Sequence, residues 1–301
     1  MVHADPAFRS VADRSAWSQT AVRTHWAHRE VSLSRGHASL HSRTSGYSAP
    51  VSFDVAAESY DRFMGRYSAL LSPHMAEFAG IRPDQRVLDV GCGPGALTAE
   101  LVSRVGAASV TAVDPSEPFV AAVRARHPGV AVHRATAEEL PFPDDAFDAA
   151  CAQLVVHFMA DPVAGLTEMA RVTRNGVVAA CVWDHAGRQG PLSLFWEAAR
   201  QLHPGVHDES NLAGAREGHL GELFASAGLR DVEETTLAAD LRHDSFDDWW
   251  EPYTRGVGPA GSFVAGLDPE QRLELRERCR ALLPDVPIVV PARAWAARGR
   301  S

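Results

Sequence analysis

Lysine is absent from this 301-residue chain, and all 29 basic side chains are arginine. Chemistry built on a lysine is thereby excluded: a Walker-type phosphate loop, a pyridoxal Schiff base and the Tyr-xxx-Lys pair of short-chain dehydrogenases. Cysteine is scarce. Cys92, Cys151, Cys181 and Cys279 lie far apart with no CxxC pair and no histidine at ligand spacing, which argues against a disulfide framework and a structural zinc. No apolar run approaches the length of a membrane span, and the first residues hold no apolar signal core, so neither insertion nor secretion is expected. Positive charge is also in deficit. The net charge is −9, and residues 51–301 carry 23 arginines against 35 acidic groups. Such a body is a poor partner for nucleic acid or an anionic membrane. The expectation is a cytoplasmic protein with reduced thiols and no metal.

What the chain does contain is ordered unevenly. Residues 1–50 hold five histidines, nine serines and six arginines without a sustained apolar period, and are expected to form a flexible arm. Residues 51–301 are expected to form one domain. From Phe53 to Gly80 the pattern is helical, with Tyr60, Phe63, Met64 and Tyr67 three and four residues apart. Short Val/Ala/Leu-rich strands follow at Arg86–Val90, Ser109–Val113, Val130–His133, Phe147–Gln153 and Val177–Val182. Amphipathic helices lie between them; Ser116 and Asp161-Pro162 are placed to cap two, and Asn175-Gly176 to close the second. Farther on, helices are expected within 191–227, 246–254 and 270–282, and strands at Leu229–Leu237 and Ile288–Ala296. Strand–helix alternation of this length predicts an α/β, doubly wound, mostly parallel sheet, with ligands at the C-terminal ends of its strands. Helical insertions within about 185–285 should cap those ends.

One feature carries chemistry above the rest: Val87-Leu88-Asp89-Val90-Gly91-Cys92-Gly93-Pro94-Gly95, an apolar strand running into a glycine turn that opens a helix. Glycines there let backbone approach a ligand, and the helix N-terminus offers unpaired N–H groups. Asp114, at the tip of the next strand, can accept both ribose hydroxyls of an adenosine.

This string resembles the nucleotide loop of class I S-adenosylmethionine-dependent methyltransferases, in the form Asp89-x-Gly91-x-Gly93-x-Gly95. Ala137-Glu138-Glu139-Leu140-Pro141-Phe142, Phe147-Asp148 and Glu168-x-x-Arg171-Val172 are similar to later motifs of the branch that contains ubiquinone/menaquinone methyltransferases and many small-molecule enzymes. The likeness covers about 85–184 well; Ala292–Gly299 is similar to the antiparallel last strand of that seven-stranded Rossmann-like fold, and 185–285 matches only in layout. The resemblance implies S-adenosylmethionine as cofactor. It places Asp89, Gly91, Cys92, Gly93 and Gly95 in the loop beside the methionine part, Asp114 and Pro115 at the ribose, Ala137 and Glu138 along the adenine, and Gln153 beneath the methionine. Thr136 stands where many relatives have an aspartate that holds the adenine amino group, and Asn175-Gly176-Val177 replaces the usual Pro-Gly-Gly turn.

Gly91-x-Gly93-x-x-Ala96 also satisfies the dinucleotide fingerprint. The helix before the turn, the Glu138–Phe142 segment and the missing lysine count against a nicotinamide enzyme. Methyl transfer from a sulfonium proceeds mainly by holding donor and acceptor in line, with a base where the acceptor carries a proton. His157, four residues past Gln153, is the candidate base, with packing of its loop as the alternative role. Trp183, Asp184 and His185 leave the fifth strand at its ligand end and are candidate acceptor contacts, as are Tyr60 and Arg66, which with Tyr67 would fold over the cofactor as a lid. Trp249, Trp250 and Tyr253 form an aromatic cluster expected to fill the cap core. The reading is a methyltransferase of class EC 2.1.1 acting on a small organic acceptor, with a catalytically silent S-adenosylmethionine-binding protein of the same fold as the alternative. Nucleic-acid methylation is disfavoured by charge and by Ala152-Gln153-Leu154-Val155 where an Asn/Asp-Pro-Pro-Tyr motif would stand.

Overall fold

The computed structural model describes residues 57–284 and 287–301; the expected arm, 1–50, lies outside the described residues. The described chain opens with α1 (Ala57–Tyr60), a π-helical turn at Asp61–Gly65 and α2 (Arg66–Phe78). Then follow β1 (Val87–Val90), α3 (Ala96–Val105), β2 (Val110–Asp114), α4 (Glu117–Arg126), β3 (Ala131–Arg134), β4 (Phe147–Gln153), α5 (Pro162–Val172) and β5 (Thr173–Trp183). Beyond them come α6 (Ser193–Leu202), α7 (His219–Ser226), β6 (Arg230–Ala238), β7 (Leu241–His243), α8 (Phe246–Trp250), α9 (Gly258–Ala265), α10 (Pro269–Leu282), β8 (Ile288–Val290) and β9 (Arg293–Arg300).

Seven strands form one sheet in the order β3-β2-β1-β4-β5-β9-β6, with β9 antiparallel to both neighbours and the other pairings parallel. The expected doubly wound sheet is present. Its central strands are buried on both faces, as parallel strands between helix layers must be. Alternate residues feed different cores: Val87, Ala149, Cys151, Ala179 and Cys181 pack toward α2 and α3, and Leu88, Val90, Ala150, Ala152 and Val178 toward α5 and α7. The chain winds outward from β1 through β2 to β3, then returns to lay β4 on the other side of β1. That reversal opens a crevice at the C-terminal ends of β1 and β4.

Asp161 caps α5 by accepting from Val163 and Ala164 N–H at 3.1 and 3.0 Å. Two boundaries differ from the sequence reading. Asn175-Gly176 does not separate helix from strand: β5 already starts at Thr173, and the register shifts between Phe147 and Ala149, with Asn175 at φ 42°. Those residues form a bulge inside the strand. The span Ile288–Ala296 is not one strand. Pro291 has no N–H to donate to a ladder, and the chain divides there into β8, paired with β7 in a separate two-stranded sheet, and β9 in the main sheet.

The cap consists of α6, α8, α9 and α10 with that small sheet. Its centre is aromatic: Phe195 stacks on Tyr253 at 4.5 Å, and Trp249 meets Tyr253 at 4.8 Å. Trp249, Trp250 and Tyr253 are all buried in this core, as their spacing suggested.

Candidate functional site

At the reversal point, residues from the ends of four strands line a cleft enclosing about 890 Å³, its open mouth included. Gly91 and Gly93 come from the turn after β1, Asp114 and Pro115 from the end of β2, Thr136, Ala137 and Glu138 from the loop after β3, and Leu154, Val155, Phe158 and Met159 from the loop after β4. Tyr60 and Phe119 close one side, ring edge to ring face at 5.4 Å.

The turn is built around close approach. Gly91 has φ 68°, and a Cβ there would lie 2.5 Å from Val155 Cγ2. At Gly93, φ 53°, a Cβ would meet nothing within 4 Å among the described residues. Gly91 and Cys92 N–H both donate to Val113 O, at 2.8 and 2.9 Å, tying the turn to β2. Asp114 clamps it from above: Oδ2 accepts from Gly93 N–H at 2.9 Å and Oδ1 from Ser116 N–H at 2.8 Å. Burial raises the Asp114 carboxyl above its ordinary range, while those two N–H groups pull it back. Each oxygen keeps a lone pair, enough for one hydroxyl of a diol.

Four residues of the expected cofactor set stand behind this surface. Asp89 is buried in β1 and its Oδ2 accepts from Thr98 Oγ1 at 2.6 Å, pinning α3 under the turn. Burial pushes its carboxyl up to about 7, with the Thr98 bond opposing. Cys92 is buried, and desolvation holds its thiol well above the usual range. Gly95 is the left-handed residue that starts α3. Gln153 turns away from the cleft: its Nε2 donates to Ser68 O at 3.1 Å and Ser72 Oγ at 3.0 Å, so it anchors α2 to the tip of β4.

A second, narrow apolar space, about 450 Å³ with its open mouth included, adjoins the cleft. Tyr60, Leu154 and Phe158 line both spaces. Leu154 adopts φ 63°, an uncommon conformation for a branched side chain, and thereby sits on the wall between them. Phe63, Met64, Trp183, Leu192, Val257 and Ala260 supply most of the remaining surface, and His157, His185 and Glu209 the polar part. His157 and His185 are both buried with ring centroids 5.9 Å apart. Burial depresses both: His157 falls well below the ordinary imidazole range, His185 adding to the effect, and His185 itself drops to about 4, with Asp208 opposing. Both are neutral at pH 7. Burial pushes Glu209 up to about 7, its hydrogen bond from Trp196 Nε1 at 2.8 Å opposing.

Two expected substrate contacts are elsewhere. Arg66 lines neither space; it donates to Asp248 Oδ1 and Oδ2 at 2.8 and 3.2 Å and to Arg242 O at 3.2 Å. Asp184 accepts from Gly187 N–H at 2.7 Å and shapes the loop after β5. Both sit in ion pairs or turns of the scaffold, because α2 and β5 turn these side chains from the cavities. Tyr60, Trp183, His185 and His157 do line the spaces, whereas Leu154, Phe158, Glu209 and the α9 residues were not anticipated. For the loop after β4 a signal existed, since it directly follows the expected ligand end of a strand. Glu209 carries no such signal, because it arrives from the loop between α6 and α7.

Among the described residues, no helix is long and apolar enough to cross a membrane, and no three His, Cys, Asp or Glu side chains gather as a metal site.

Sheet order and glycine turn together define a doubly wound, Rossmann-like architecture. Residues 88–181 match a family model described as a methyltransferase domain. The chain is 36% identical over 124 residues to the malonyl-(acyl-carrier protein) O-methyltransferase of Erwinia billingiae, covering 41% of this chain and 48% of that protein. It is 35% identical over 157 residues to the ubiquinone biosynthesis O-methyltransferase of Rhizobium etli, covering 50% and 62%. The chain thus spans about half the length of the first such relatives. Among solved structures, the complex between the Haloferax volcanii Trm112 methyltransferase activator and a methyltransferase aligns with TM-score 0.53 at 19% identity, over 81% of this chain and 94% of that one. A methyltransferase from an antibiotic biosynthesis pathway of Anabaena variabilis aligns with TM-score 0.51 at 18% identity, over 75% and 95%. These two share the fold. The chain resembles class I methyltransferases of the small-molecule branch.

Proposed function

We propose that the protein transfers a methyl group from S-adenosylmethionine to a small organic acceptor. The observation that carries this reading is the junction of two unlike spaces. One is a cleft with an open glycine turn and an acid at its strand tip; the other is an apolar chamber that shares Tyr60, Leu154 and Phe158 with it as lining. S-adenosylmethionine, when bound, supplies an electrophilic methyl on a sulfonium. Gly93 leaves room for the methionine part, the free lone pairs of Asp114 receive the ribose hydroxyls, and Ala137, Phe119 and Met159 offer apolar surface for the base. The chamber would hold the acceptor in contact and in line, and Tyr60 and Phe158 would exclude water from the junction, so that proximity accounts for most of the acceleration.

Calorimetry on the full chain tests the reading. S-adenosylmethionine and S-adenosylhomocysteine should both bind, and Asp114→Ala should weaken both equally, by roughly 2–4 kcal/mol or about 30- to 700-fold, since both carry the same ribose. If only the sulfonium ligand lost affinity, Asp114 would be acting as a counter-charge and its assignment to the diol would be wrong. Incubation with labelled S-adenosylmethionine and fractionated small-molecule extract should place label in a low-mass product; binding without any product would favour the silent binding protein.

A further inference from the structure

The acceptor chamber has an unusual polar inventory. Its surface is aromatic and aliphatic except at His157, His185 and Glu209. On these two chamber-lining residues, His157 Nδ1 and His185 Nε2 are fully buried and have no hydrogen-bond partner among the described residues. Leaving one buried polar atom unpaired is costly, and two on neighbouring rings call for an explanation. A neutral imidazole presents one donor and one acceptor nitrogen, so the two rings together can both give and take a hydrogen bond at one place. A ligand group that does the same satisfies them.

We propose that the acceptor is a planar, apolar molecule carrying a protic hydroxyl, a phenol or an enol, which His157 and His185 bind together and His157 deprotonates. This inference rests on the methyltransferase reading. Other acceptor classes fit the chamber less well. A carboxylate would want a cation, but the nearby arginines, Arg188 and Arg200, line a separate small pocket behind His185 and Glu209, and Arg200 is paired with Asp208 and Glu197. An ammonium would want a carboxylate, but Glu209 accepts from the Trp196 indole and burial favours its neutral form. A hydroxyl needs no net charge from the wall. Tyr60, the remaining titratable group on the chamber, is raised by burial to about 12 and stays neutral.

In the transfer, the hydroxyl O–H breaks and its electron pair stays on oxygen to form the new O–C bond, with the pair of the broken carbon–sulfur bond left on sulfur. The proton moves to the free ring nitrogen of His157, and the imidazolium releases it to solvent as product leaves. Depression of both histidines by burial keeps the accepting lone pair available at neutral pH.

A binding experiment without turnover tests this. The full chain is titrated calorimetrically, in the presence of S-adenosylhomocysteine, with three probes of one shape: 2-naphthol, 2-methoxynaphthalene and 2-naphthoate. The naphthol should bind at least about tenfold tighter than either of the others. His157→Phe and His185→Phe should each bring naphthol to within about threefold of the methoxy compound, whose own affinity should hardly move. Because a variant can fail to fold, the unaltered chain labelled with nitrogen-15 in histidine gives a second readout: naphthol should shift ring-nitrogen resonances of two histidines, and the methoxy compound should not. Equal affinities, tightest binding of the naphthoate, no binding of any probe, or unmoved histidine resonances would each overturn the proposal. Failure of S-adenosylhomocysteine to bind would instead overturn the reading on which it rests.

Discussion

Two glycines two residues apart do different work at the turn after β1. A Cβ at Gly91 would lie 2.5 Å from Val155, and one at Gly93 would enter open space. Gly91→Ala should therefore cost fold stability, by roughly 2 kcal/mol or more through clash and left-handed strain. Gly93→Ala should cost only about 1 kcal/mol of strain yet weaken S-adenosylhomocysteine binding at least about tenfold, because its methyl intrudes on the ligand. Paired thermal melts and calorimetry separate the two; intact affinity in Gly93→Ala would move the cofactor elsewhere. Asp89 makes a second residue-scale prediction. Burial pushes its folded carboxyl up to about 7, against an ordinary carboxylate value of about 4. Between those values the folded state keeps a proton that the unfolded chain has lost, so this group's contribution falls as pH rises from about 4 to 7 and levels off above. Asp89→Asn keeps an acceptor for Thr98 and removes the charge. Its melting temperature relative to the parent should rise with pH between about 4 and 7 and then level off, and a pH-independent difference would show Asp89 to be ionised throughout.

At the scale of elements, the helical stretch from α1 to α2 is the part that joins scaffold to site. It is pinned at several places: by Gln153 to Ser68 and Ser72, by Arg126 to Asp61 at 2.6 Å, and by Arg66 and Tyr67 to the cap. There Tyr67 Oη meets His243 Nε2 at 3.1 Å, and Asp248 holds both Arg66 and His243. The Arg66–Asp248 pair is about one-third exposed, so its direct worth is modest. Asp248→Ala should lower stability by about 1 kcal/mol. More tellingly, it should speed amide exchange across residues 57–78 while leaving β1, β4 and β5 protected. Uniform acceleration would show that this helix does not open separately from the sheet. The bulge at Asn175 and the break at Pro291 belong to this scale as well: each is a local departure that re-aims a strand without disturbing the sheet order.

For the whole molecule, residues 1–50 remain proposed as an arm without a core of its own. A chain starting near Val51 should melt within a few degrees of the full chain, since the first 50 residues offer too little periodic apolar surface to offset the entropy of ordering them. A larger fall would show that they pack on the body. What the sequence determined by itself was the architecture and the cleft's own edge. Period-2 apolar strands alternating with period-3.6 helices leave few topologies, and strand, glycine turn and strand-tip acid are contiguous or nearly so in the chain. Gly91, Gly93, Asp114, Ala137 and Glu138 could be read because each ends a strand or lies within four residues of its end, where local pattern and spatial position coincide. Tertiary structure alone decided the rest. Asp89 and Gln153 sit at the ends of the right strands, but their side chains are taken up by Thr98 and by Ser68 and Ser72 on the neighbouring helices. Arg66 lies on the right helix but points to Asp248, which follows it by 182 residues. Glu209 reaches the chamber from a loop that no periodicity describes. A side chain's direction is set by whichever partner packing brings within reach, and that partner is a property of the folded chain as a whole.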